Sequence, residues 1–223
     1  MSARLLATLC LVLGCVHVSS AQSAASPDAA LVVYLKTGGT QPTAPLAQMK
    51  RELGALMHQA GYSVEWRSLD ANRSEDAGTP LLAVLELTGV CGIAPGYPDM
   101  ERTAALSASL AATTITDGRV LPFSSLNCTA LTRSVSAALA KDAGARRDFL
   151  YGRAMARVVA HELYHVLLRT TEHTRSGVAR SRFTAGDLLS ERFEFEGATL
   201  GRLWRRQGTV VDIGAAGYES SDR

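Results

Sequence analysis

Two histidines four positions apart, with a glutamate directly after the first, stand in the segment His161-Glu162-Leu163-Tyr164-His165. On an α-helix, residues four apart share a face with their Cβ atoms roughly 5–6 Å apart, so both imidazoles can offer a nitrogen to one ion. One position beyond His161, Glu162 swings to the flank of that pair, beside a water on the ion rather than on the ion itself. That is the place of a general base. The pattern predicts a Zn2+ site on His161 and His165, with Glu162 as the catalytic carboxylate of a hydrolase. It draws two ligands from a chain with five histidines, of which His17 falls in the N-terminal apolar stretch.

A catalytic zinc site keeps three protein ligands and one open position, so a third donor must come from elsewhere. His173 is the expected ligand, because it follows a helix end near Arg169-Thr170-Thr171, where the chain can turn back beneath the ion. Glu172 beside it could substitute as an oxygen donor, and Glu191, Glu194 and Glu196 could supply one from a second helix. Tyr164 faces away from the histidine pair by helical geometry and reads as packing.

These residues need a rigid element beneath them. Asp148 to Leu168 carries Phe149, Met155, Val158, Val159, Leu163, Val166 and Leu167 on one helical face without a proline, which predicts a long helix bearing the motif. Upstream, Leu31 to Leu35 reads as a buried strand, Pro45 to Ala60 as an amphipathic helix, and Tyr62 to Trp66 and Leu81 to Leu87 as strands. Thr113 to Thr116 and Arg119 to Phe123 flank Asp117-Gly118, the dipeptide of tight hairpins, and predict an edge ribbon on which an extended peptide could pair. Thr184-Ala185-Gly186-Asp187 has the spacing of a helix start. Leu200, Leu203 and Trp204 imply a last helix before Gly208. The expected fold class is α/β (α+β), one domain with a mixed sheet and an edge hairpin packed on the long helix.

His161 through Asp187, HELYHVLLRTTEHTRSGVARSRFTAGD, resembles the active-site region of zincin metalloproteases, and more particularly of metzincin-like bacterial exported proteins. The resemblance implies a zincin-like domain, His161, His165 and His173 as zinc ligands, Glu162 as general base and a peptide or protein as substrate. Metzincins bring their third histidine sooner and turn the chain with a glycine, whereas seven residues without a glycine separate His165 from His173 here. Where their floor carries a methionine after Gly-hydrophobic, Gly177-Val178 is followed by Ala179. An exported zinc-binding or protein-interaction module without turnover is the alternative function.

Residues 1–21, with Arg4, the apolar run Leu5 to Val18 and the small residues Ser19-Ser20-Ala21, read as a secretory signal peptide cleaved after Ala21. Val12-Leu13-Gly14-Cys15 offers a lipoprotein alternative, with a lipid anchor at Cys15. Either route puts the protein in a secreted or periplasmic setting. Residues 22–30 are expected to be a flexible segment, 31–207 the metalloprotease domain and 208–223 a flexible tail. No run approaches the ~20 apolar residues of a transmembrane span. Cys91 and Cys128, the only cysteines beyond the leader, are expected to form a disulfide in an oxidising compartment. Formal net charge is +2, and Arg146, Arg147, Arg153, Arg157, Arg202, Arg205 and Arg206 recur at helical spacing. They read as solvated helix faces, not as a nucleic-acid surface.

Overall fold

The computed structural model describes residues 29–69, 81–94 and 109–216, with 208–216 as helical backbone alone. The expected leader, the Cys15 lipid alternative and residues 22–28 lie outside the described residues. The architecture is a mixed α/β single domain: a five-stranded sheet of order β2-β1-β3-β5-β4 with a long helix on it. Strand β1 (Ala29–Thr37) leads through helix α1 (Thr43–Gln59) to β2 (Tyr62–Ser68), which pairs parallel with β1. Such a parallel pair needs a crossover, and α1 supplies it. Strand β3 (Leu81–Thr88) pairs parallel with β1 on the other side and with β5 (Arg119–Asn127).

Strand β4 (Ala111–Thr116) closes the sheet antiparallel to β5, through the turn Asp117-Gly118. Both turn residues have positive φ, 50° and 72°, as a two-residue hairpin with the right-handed twist of its strands demands. The ladder is irregular. Thr113 pairs with Ser124 and Ile115 with Val120, so β5 spends more residues than β4 between the two pairs. Pro122 lies in that stretch and has no N–H to give to a ladder, which accounts for a bulge there.

Alternation sets the core. Leu31 and Val33 of β1, Ala83, Leu85 and Leu87 of β3, and Leu126 of β5 are buried, and they pack with Met49, Leu53, Leu56 and Met57 of α1. The long helix α3 (Gly144–Leu168) contributes Met155, Val159, Leu163 and Leu167 to the same core. It starts four residues before the expected Asp148, at Gly144 with φ 50°.

Helix α2 (Cys128–Val135) was not foreseen in the sequence; it begins directly where β5 ends, capped by Asn127, whose side chain accepts from the Ala130 N–H at 3.0 Å. Its Cys128 is bonded to Cys91, with Cα atoms 4.8 Å apart. Closing a loop of sequence separation 37 contributes about 4 kcal/mol in the chain-entropy account. The short helix α4 (Ala185–Leu189) carries the capping box of Thr184 and Asp187 that its spacing suggested.

Helix α5 (Gly197–Ala216) continues past Gly208, where a flexible tail had been expected to begin. A single helical glycine costs only about 1 kcal/mol, too little to end a helix by itself. No helix among the described residues is long and apolar enough to cross a membrane.

One expectation about charge is overturned. Arg157 is 1% exposed, not part of a solvated face. Its Nε donates to Glu52 Oε1 at 3.2 Å, while its terminal nitrogens donate to the Asp187 carbonyl at 2.8 Å and the Ser190 carbonyl at 2.6 Å. Arg153 donates to the other oxygen of Glu52 at 3.3 Å. Helical spacing could not show that α1 places a carboxylate opposite these two arginines.

Candidate metal centre

The second half of α3 passes through the core, so His161 and His165 are each only 8% exposed. Both rings are fixed from behind. His161 Nδ1 lies 2.8 Å from the Val178 carbonyl, and His165 Nδ1 lies 2.7 Å from the Thr170 carbonyl. A carbonyl only accepts, so each Nδ1 carries the proton and each Nε2 keeps a lone pair. Those two Nε2 atoms face each other at 3.0 Å. Two lone pairs at that distance repel unless a cation or a proton sits between them, and imidazoles oriented by carbonyls through the opposite nitrogen are the usual form of metal ligands. The donor set therefore fits a metal ion. Burial pushes His161 down to about 4, against the pull of the Val178 hydrogen bond and helped by the neighbouring rings. Burial lowers His165 as well. Both rings are held in the neutral, ligating state.

The chain returns to this face because of how α3 ends. Arg169 adopts the left-handed conformation, φ 48° and ψ 46°, and the Thr170 N–H donates back to the His165 carbonyl at 3.2 Å. This is the position that glycine commonly fills at a helix C-terminus. Arg169 fills it here, which is how seven residues without a glycine still reverse the chain. Tyr164 fastens the return: its hydroxyl donates to the Glu172 carbonyl at 2.9 Å, and the ring is fully buried. His173 then stacks on His161, with centroids 5.2 Å apart and planes 14° off parallel, and meets His165 edge-on at 4.8 Å.

The ligand atoms of His161, His165 and His173 all lie within 4.8 Å of one another. None of the alternative glutamates joins them among the described residues. The Glu172 carboxylate points toward Arg202, 3.8 Å away, Glu191 and Glu194 are exposed, and Glu196 accepts from Ser176.

The turn at Gly177 passes beneath His161. Gly177 has φ 67°, and a Cβ there would stand 2.7 Å from the Glu194 carbonyl, so the site excludes a side chain. Val178 and Ala179 are buried. Val178 uses its backbone twice, donating N–H to the Glu194 carbonyl at 3.0 Å and accepting from His161. Ala179 stands where the resemblance would place a methionine, and backbone does the anchoring. Sequence reading had no means to find this carbonyl.

Beside the histidines opens a cleft of about 810 Å³, walled by β4, Val158 of α3, His173 and Phe183. Phe183 meets His161 edge-on at 5.4 Å. Glu162 lines the same cleft, and its Oε2 accepts from the Thr113 hydroxyl at 2.6 Å. Burial raises the Glu162 carboxyl above its ordinary range, and the Thr113 hydrogen bond opposes the rise. Thr113 and Phe183 were not singled out in the sequence. An isolated threonine on a strand, or a phenylalanine in a loop, carries no periodic signal.

No protein-family model and no curated protein matches this sequence. The functional reading therefore rests on the site. Three imidazoles converge on one point, and a carboxylate opens onto the same cleft.

Proposed function

We propose that this chain is an exported zinc-dependent metallopeptidase, with His161, His165 and His173 as ligands and Glu162 as general base. The observation that carries the reading is the convergence of three imidazoles and one buried carboxylate on a single cleft whose wall is a sheet edge. Three nitrogen donors with an open side suit zinc in a catalytic rather than a structural role, since structural sites close all four positions. When bound, zinc supplies Lewis acidity, making a water a usable nucleophile near neutral pH and polarising a carbonyl.

The chain's own groups supply the rest. Glu162 takes a proton from the attacking water on the oxygen that Thr113 does not hold, and passes it to the leaving amine. Its burial raises the proton affinity of the carboxylate, which favours taking the proton in that exchange. The outer edge of β4, which no strand among the described residues covers, can pair with an extended peptide through main-chain hydrogen bonds. That would lay a scissile bond along the cleft between β4 and the histidines. The predicted disulfide, now seen between Cys91 and Cys128, agrees with an oxidising destination.

Hydrolysis of an unfolded protein or a peptide library is the test. Cleavage should vanish with a chelator and return with zinc. Bound zinc with no cleavage of any such substrate would favour the binding module instead.

A further inference from the structure

Glu162 does not stand alone on the cleft wall. Its Oε2 accepts from the Thr113 hydroxyl at 2.6 Å, and the Thr113 oxygen lies 2.9 Å from the Ser124 hydroxyl. The polarity of this chain follows from counting protons. An ionised carboxylate only accepts and each hydroxyl has one proton, so Thr113 gives its proton to Glu162, and Ser124 must give its own to Thr113. The 2.6 Å separation is that of a charge-assisted O–H···O⁻ bond, the stronger class. Ser124 is 6% exposed, and strand pairing sets it directly opposite Thr113. Just beyond this pair lies the bulge at Pro122, where the ladder register changes. Bulges beside functional sites commonly re-aim a side chain.

On the reading of this site as a hydrolase, we propose that Thr113, held by Ser124, is the positioning residue for Glu162. It pins Oε2 and leaves Oε1, which makes no hydrogen bond to any described residue, as the oxygen that serves the cleft. Glutamate has three side-chain torsions, and an unrestrained carboxylate would share its two oxygens between many orientations. One fixed oxygen removes that freedom before a substrate arrives. The anchor is also well placed. Thr113 belongs to β4, the strand proposed to pair with substrate, so the peptide and the base are located by one element.

Thr113→Val removes the hydroxyl with little change of shape. The expected result is a kcat lower by ~10–100-fold, since small misplacements of a reacting group cost that much. KM should stay within about twofold and zinc content should not change. Thr113→Ser keeps the hydroxyl and should recover most of the loss. A kcat unaffected by Thr113→Val, or a loss carried by KM alone, would overturn the proposal.

A second measurement needs no activity. In chelator-treated protein, Thr113→Val should lower the melting temperature in both backgrounds, because it also takes a partner from Ser124 and from the backbone carbonyl of residue 162, but by clearly more when Glu162 is present than in a Glu162→Leu background. Equal shifts in both backgrounds would mean that the hydroxyl does not hold the carboxylate. If the wild type cleaves nothing, the hydrolase reading fails on its own, while this cycle still decides whether Thr113 fixes Glu162.

Discussion

Glu162→Gln is expected to abolish most peptide hydrolysis while leaving the metal in place. Glutamine keeps the length and shape of the side chain, and its amide oxygen can still accept from Thr113, so the cleft wall should survive. What it cannot do is accept a proton at the pH of the assay. General-base catalysis is worth ~10²–10⁴ in rate, which corresponds to about 3–5 kcal/mol of transition-state stabilisation. The loss should fall on kcat, with zinc stoichiometry and melting temperature close to wild type. Activity within a fewfold of wild type would remove Glu162 from the mechanism. Loss of zinc along with activity would mean that the residue works on the metal site and not as a base.

The largest stability effect is expected outside the histidine cluster, at Glu52→Ala. Glu52 sits on α1 and holds both Arg157, 1% exposed, and Arg153, 17% exposed, on α3. Burial pulls the Arg157 guanidinium below its ordinary value and Glu52 pulls it back, so the arginine depends on that carboxylate for compensation. Removing one partner of a buried pair leaves an uncompensated charge and costs about 3–5 kcal/mol. For a domain of this size that is a fall on the order of 10 °C in melting temperature.

The consequence should reach the cleft. Arg157 grips the carbonyls of Asp187 and Ser190 and lies 4.8 Å over the Phe193 ring. Phe193 packs on Phe183 at 5.5 Å, and Phe183 touches His161. Thermal unfolding of the Glu52→Ala protein checks the first claim; a change of less than ~1 kcal/mol would show that the Asp187 and Ser190 carbonyls, with the Ser190 hydroxyl that also accepts from Arg157 at 3.1 Å, suffice without Glu52.

The sheet, the motif helix and the hairpin were legible because each rests on a local pattern. Alternation marked Tyr62 to Trp66, helical spacing marked Met155 to Leu167, and Asp117-Gly118 marked the turn. The histidine pair was legible for the same reason, since four residues on a helix fix a geometry by themselves. What was not legible depends on distant backbone. The Val178 and Thr170 carbonyls that orient the two imidazoles have no residue type to betray them. Arg169 was unreadable as a chain-reversing residue because glycine is the usual occupant of that conformation. Arg157 looked like its exposed neighbours because its partner Glu52 is 105 positions away. Thr113 could be placed on a strand, but which element its hydroxyl would meet depends on how β4 packs against α3.

The central claim is that three histidines hold one metal ion, and metal analysis of the purified protein tests it most directly. Mass-spectrometric metal quantitation should find about one zinc per chain in the wild type and in Glu191→Ala. His161→Ala, His165→Ala and His173→Ala should each lose most of it. A metal-free wild type, or a site emptied by Glu191→Ala but not by His173→Ala, would contradict the account.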